Sequence, residues 1–167
     1  MAKIIILYDS NTGNTKTMAE AVAKGAKKIK ETEVELKSVC QSKKEDLLGA
    51  DGIVLGSPTH YGLMSTNMKA FIDHGDVWQQ LAGKVGGAFT NSAGVASGGE
   101  TTLLSLVVAM FIHGMIIPGR ADDMHYGVAL TGAPDKDGLA HCEELGRIVA
   151  SLALKLKTAE KPSENNI

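Results

Sequence analysis

Residues 4–15 read Ile-Ile-Ile-Leu-Tyr-Asp-Ser-Asn-Thr-Gly-Asn-Thr, and they restrict the fold more than any other stretch. An apolar run stops at Ser10, Asn11, Thr12, Gly13, Asn14 and Thr15, and an amphipathic helical pattern follows at once. The order is a buried strand, a hydroxyl-rich loop and a helix N-terminus. The first amides of a helix lack intrahelical acceptors, and the helix dipole adds partial positive charge there. Such a site suits a phosphate. Ser and Thr hydroxyls add donors without charge. A helix cap alone explains one or two of these residues. Five small polar residues and a Gly in six positions exceed that need.

The spacing excludes the commoner phosphate loops. There is no Gly-x-x-x-x-Gly-Lys-Ser/Thr run, so the lysine that holds a nucleoside triphosphate is missing. There is no Gly-x-Gly-x-x-Gly, so the dinucleotide fingerprint is missing as well. A loop for a single terminal phosphate remains.

Length and charge narrow the class further. The chain has 167 residues, 44% of them hydrophobic, which allows one domain with a full core. That domain is expected over residues 1–158, with a polar tail over 159–167. Basic residues number 17 and acidic residues 19, for a net charge of −2. No basic run interleaves with aromatics, so nucleic acid is not an expected partner. Lys24, Lys27, Lys28 and Lys30 fall on a helical pattern and read as a solvated face. Cys40 and Cys142 are far apart and form neither a Cys-x-x-Cys pair nor a zinc spacing, so no metal is expected. The apolar stretches are too short or too broken to span a bilayer. Met1-Ala2-Lys3 leads straight into the first strand without a secretory pattern. A cytoplasmic location is the expectation.

Strands are predicted over 4–8, 33–39, 50–56, 85–89 and 115–117, with helices over 15–30, 66–74, 100–113 and 139–157. This alternation implies an α/β fold with a parallel sheet covered on both faces. Five strands with a phosphate loop after the first suit a doubly wound sheet in the order 2-1-3-4-5. Its ligand lies beyond the carboxyl ends of strands 1, 3 and 4.

Unusual loops follow strands 3 and 4. The first is Gly56-Ser57-Pro58-Thr59-His60-Tyr61-Gly62, where Pro58 and Gly62 fix a turn. Tyr61 offers a stacking face, Thr59 a hydroxyl and an amide, and His60 an exposed imidazole. The second is Asn91-Ser92-Ala93-Gly94-Val95-Ala96-Ser97-Gly98-Gly99-Glu100. Small residues here let backbone approach a ligand closely.

These motifs carry a resemblance. Ser10-Asn11-Thr12-Gly13-Asn14-Thr15 resembles the Ser/Thr-x-Thr-Gly-Asn-Thr phosphate loop of the flavodoxin family, which binds flavin mononucleotide (FMN). The second loop, with Met64 and Asn67-Met68-Lys69-Ala70-Phe71-Ile72-Asp73, resembles the WrbA-type NAD(P)H:quinone oxidoreductase family. That family carries Gly-Thr-Pro-Thr-Arg-Phe-Gly and a Met-Arg-x-Phe-Leu-Asp segment. Gly98-Gly99-Glu100-Thr101-Thr102, His113-Gly114-Met115 and Tyr126-Gly127 resemble further stretches of it. Three departures stand out. The phosphate loop is of flavodoxin type, few residues separate strands 2 and 3, and a family segment is missing between Gly119 and His125. The two missing segments help build the tetramer and active site in that family.

The resemblance implies a flavodoxin-like domain that binds FMN. Ser10 to Thr15 hold its phosphate. Pro58, Thr59, His60, Tyr61 and Gly62, with Asn91, Ser92, Ala93, Gly94, Gly98 and Gly99, hold its ring. It also implies hydride transfer from NAD(P)H through FMN to a quinone in ping-pong fashion. His113 is then the polar side chain near the ring face, or alternatively a helix C-terminal cap. Trp78 matches a tryptophan that packs across a subunit interface in that family, or else is a core residue. The rival reading is a one-electron carrier between redox proteins. Carrier flavodoxins are usually acidic, which steers them to basic partners, and this chain is nearly neutral. The apolar run Leu103 to Ile112 points to a homo-oligomer.

Overall fold

The protein is described by a computed structural model over residues 1–159. Five parallel strands form one sheet in the order β2-β1-β3-β4-β5. They are β1 (Ala2–Tyr8), β2 (Thr32–Ser38), β3 (Gly52–Pro58), β4 (Val85–Ser92) and β5 (Val128–Thr131). The helices are α1 (Asn14–Ala26), α2 (Lys44–Leu48), α3 (Thr66–His74), α4 (Gly99–Ile112) and α5 (Lys136–Ala159). The fold is flavodoxin-like, as expected. Residues 160–167, most of the expected tail, lie outside the described residues.

Alternation along β1 builds two cores. Ile4 and Ile6 face α1 and α5, among Met18, Val22, Leu145 and Val149. Ile5 and Leu7 face α3 and α4, among Met68, Leu103, Leu106 and Met110. All four β1 side chains are fully buried. Each contributes about 1.5–3 kcal/mol of apolar transfer free energy. Helices α1 and α5 cross closely because glycines stand at the contact. A Cβ on Gly146 would sit 2.0 Å from the Val22 carbonyl oxygen.

The fifth strand is not where the apolar run suggests. Met115–Ile117 makes one parallel bridge, between Ile116 and Val85, and goes no further. Pro118 follows and cannot donate to a ladder. The strand is Val128–Thr131, four residues closed by Gly127 and Gly132, both at positive φ. It pairs with Phe89 to Ser92, the upper half of β4. Helix α1 also stops at Ala26 rather than Lys30, and the short helix α2 stands between β2 and β3.

Candidate functional site

Three loops meet at the carboxyl edge of the sheet. The first opens α1. Gly13 is its N-cap, at φ 97°, and as a glycine it offers no capping side chain of its own. Ser10 Oγ accepts the amides of Gly13 at 3.2 Å and Lys16 at 3.3 Å. No protein acceptor pairs with the amides of Asn14 and Thr15 among the described residues. Two amides at a helix N-terminus therefore stay available to an anion. Thr12 is exposed beside them, whereas Thr15 is buried.

The second loop is a hairpin. His60 and Leu63 exchange backbone hydrogen bonds of 2.9 and 3.0 Å. Between them Tyr61 and Gly62 stand at φ 51° and 79°, the sign pattern of a type I′ turn. The turn projects Tyr61 fully into solvent. His60 Nε2 accepts from Asn11 Nδ2 at 3.4 Å, joining the first two loops. Pro58 ends β3 opposite Asn91.

Asn91 is the joint of the third loop. Its carbonyl accepts the Thr59 amide at 2.9 Å. Its side-chain amide donates to the Gly132 carbonyl at 2.8 Å, and its side-chain oxygen accepts from Asn14 Nδ2 at 3.3 Å. Thr59 therefore has no free amide for a ligand, contrary to the sequence expectation, and offers only its hydroxyl. Ser92 is likewise turned inward, with its Oγ on the Gly94 carbonyl at 3.0 Å and on Thr131 Oγ1 at 3.2 Å. Ala93 is exposed and Gly94 half-buried on the rim, while Gly98 meets the hairpin at Gly62 and Gly99 is buried below.

Two participants were not legible in the sequence. The Gly132 carbonyl accepts from both Asn14 and Asn91, tying the β5 turn to the phosphate loop. Its only sequence signal is Gly132 closing the short run Val128-Ala129-Leu130-Thr131, which the apolar stretch Met115–Ile117 outweighs. Asp9, which had no role in the sequence, is buried and accepts from Asn67 Nδ2 at 3.3 and 3.4 Å. It pins the first turn of α3 to the end of β1.

His113 lies elsewhere. It is the C-cap of α4, and the 14-residue helix carries it about 20 Å from Gly98. Within one chain it does not join the three loops. There it stands edge-on to Trp78, ring centroids 6.1 Å apart, beside a cavity of about 610 Å³ between α3 and α4. Its Nδ1 is buried and has no hydrogen-bond partner among the described residues. Trp78 is 62% exposed, so it is not a core residue. Leu104, Val108, Phe111 and Ile112 continue this apolar surface along α4.

Comparison with known proteins agrees with this fold. The model of the NADPH-dependent FMN reductase family matches residues 2–123. The chain belongs to this family. It is 41% identical over 159 residues to a protein of Aquifex aeolicus named flavodoxin, covering 90% of this chain and 86% of that one. It is 39% identical over 191 residues to an NAD(P)H dehydrogenase (quinone) of Archaeoglobus fulgidus, covering 93% and 100%. Among solved structures, a WrbA-like flavodoxin from Agrobacterium tumefaciens superposes with a TM-score of 0.79 at 27% identity, covering 93% and 99%. A flavodoxin from the domain Archaea gives 0.77 at 28% identity, covering 91% and 99%. No described helix is long and apolar enough to cross a membrane.

Proposed function

We propose that the chain binds FMN at the three loops and acts as an NAD(P)H:quinone oxidoreductase. The observation that carries this reading is the pair of unclaimed amides, Asn14 and Thr15, under a left-handed Gly13. They form a cradle for one phosphate next to two loops fit for a flat ring. FMN held there would supply the redox chemistry, as an acceptor of hydride from NAD(P)H and a donor of electrons to a quinone.

The chain's own residues bind and orient. Ser10 to Thr15 neutralise the phosphate with amides, hydroxyls and the α1 dipole. Pro58 to Gly62, with Tyr61 at the tip, wall one side of the ring. The other wall, Asn91 to Gly99, holds no aromatic side chain. That wall leaves room for a nicotinamide and then a quinone to occupy the same face in turn, which is the basis of a ping-pong scheme. The relatives named NAD(P)H dehydrogenase (quinone) support the enzyme reading, as does a net charge of only −2. A cytoplasmic location follows from the need for NAD(P)H.

A second copy completes the picture. The exposed stripe of Leu104, Val108, Phe111 and Ile112, continued by Trp78, suits burial in a homo-oligomer. Since α4 carries His113 away from the loops of its own chain, His113 would serve catalysis only if such an assembly brought it to a neighbouring subunit's loops. The carrier reading has one specific support, the name of the Aquifex relative. Steady-state rates with NADH or NADPH against a benzoquinone series decide between the two. The enzyme gives parallel double-reciprocal lines, whereas a carrier gives no turnover without a partner protein.

A further inference from the structure

The hydroxyl of Thr59 has a fixed polarity, set by residues beneath it. Thr90 Oγ1 donates to the Ser57 carbonyl at 2.7 Å. A hydroxyl carries one proton, so Thr90 has none left for its second neighbour. That neighbour is Thr59 Oγ1, 3.1 Å away. The proton between the two hydroxyls must then come from Thr59. Thr90 is completely buried and Ser57 is too, so solvent does not compete for this chain. The result is a one-way relay, Thr59 to Thr90 to the Ser57 carbonyl. Above it, Thr59 is only half-buried, and its amide is already spent on the Asn91 carbonyl.

Thr59 Oγ1 therefore keeps lone pairs but no proton for any further partner. We propose that Thr59 Oγ1 is an acceptor-only contact that selects a ring N–H of the flavin and repels a ring acceptor at that point. The inference rests on the FMN reading above. An oxidised flavin ring presents one such N–H, at N3, and reduction by hydride adds another, at N5, leaving N1 as an anionic acceptor. Every other ring nitrogen or oxygen at the pyrimidine edge is an acceptor, which this hydroxyl cannot satisfy. The relay thus sets the register of the ring in the crevice.

The test is FMN affinity in both redox states for wild type, Thr59→Val, Thr59→Ala and Thr59→Ser. Quenching of FMN fluorescence gives the oxidised affinity, and the two-electron potential of bound FMN gives the reduced one. Thr59→Val and Thr59→Ala are expected to weaken FMN binding about five- to tenfold, the cost of one unmade hydrogen bond. Thr59→Ser, which keeps the relay, is expected within about twofold of wild type. An equal loss in both states assigns the contact to N3–H. A further tenfold loss confined to the reduced state lowers the potential by about 30 mV and assigns it to N5–H. Either result supports the proposal. It is overturned if Thr59→Val and Thr59→Ala match wild type in both states, or if Thr59→Ser is as weak as Thr59→Val. If wild type itself binds no FMN, the FMN reading has failed, which is a separate and recognisable outcome.

Discussion

Gly62 and Gly98 touch: a Cβ built on Gly98 would lie 2.5 Å from the Gly62 Cα. Both residues are at positive φ, 79° and 90°. The hairpin after β3 and the loop before α4 are thereby locked into one wall at the carboxyl edge. Gly98→Ala meets two penalties, a left-handed backbone and a clash with backbone rather than a movable side chain. We expect it to keep its far-ultraviolet circular dichroism, since Gly98 lies outside the two cores. We expect FMN affinity to fall by at least about tenfold, the equivalent of roughly 1.4 kcal/mol. Isothermal titration with FMN measures this directly.

The phosphate cradle makes a different demand. Thr12→Ala with Thr15→Ala removes both hydroxyls but leaves the amides in place. FMN affinity should fall about ten- to a hundredfold, as expected for two charge-assisted hydrogen bonds. Riboflavin, which lacks the phosphate, should bind wild type and the double variant alike. Parallel fluorescence titrations with the two ligands check the difference.

Much of this site was readable in the chain because its signals are local. The cap-rich run Ser10 to Thr15 follows a continuous apolar strand, and Pro58 and Gly62 punctuate the next loop within seven residues. The fifth strand was not readable, for a physical reason. Met115-Ile116-Ile117 has the stronger β pattern, but its place beside β4 is limited by Pro118, and the sheet takes Val128–Thr131 instead. That choice depends on tertiary pairing, which no window of residues contains. The same limit hid the engagement of the Thr59 amide by Asn91, two residues 32 positions apart that the register of β3 and β4 brings together. His113 shows the opposite case. Its motif and the helix over 100–113 were both legible, and the length of that helix carries it away from the loops.

The two cysteines should react very differently. Cys40 is exposed, while Cys142 is fully buried against α1 and the sheet. Burial pushes the Cys142 thiol up to about 12, so it holds almost no thiolate at pH 8. A thiol reagent at that pH is expected to titrate one group quickly in the native protein and two in denaturant. Two fast groups in the native state would contradict the packing of α5.

Acid should loosen the contact between α1 and α5. Glu143 on α5 accepts from Lys24 at 2.7 Å and also pairs with Lys28. These two ammonium groups hold its carboxyl below the ordinary value of 4.5. Its folded pKa is depressed, so the stabilisation is complete above the unfolded pKa. It is lost as pH falls through the lower folded value. Glu143→Gln should therefore be less stable than wild type at pH 7, and the gap should shrink towards pH 3. Urea unfolding at the two pH values measures it.

The three-loop edge is proposed to hold FMN and to pass electrons from NAD(P)H to a quinone. The most direct test is anaerobic stopped-flow mixing of the FMN-loaded protein with NADH and with NADPH, followed by addition of benzoquinone. Rapid bleaching of the flavin by at least one nucleotide is expected, with rapid recovery of its absorbance on addition of the quinone. Absence of bleaching by both nucleotides, in protein shown to carry FMN, would contradict it and place the chain with the one-electron carriers.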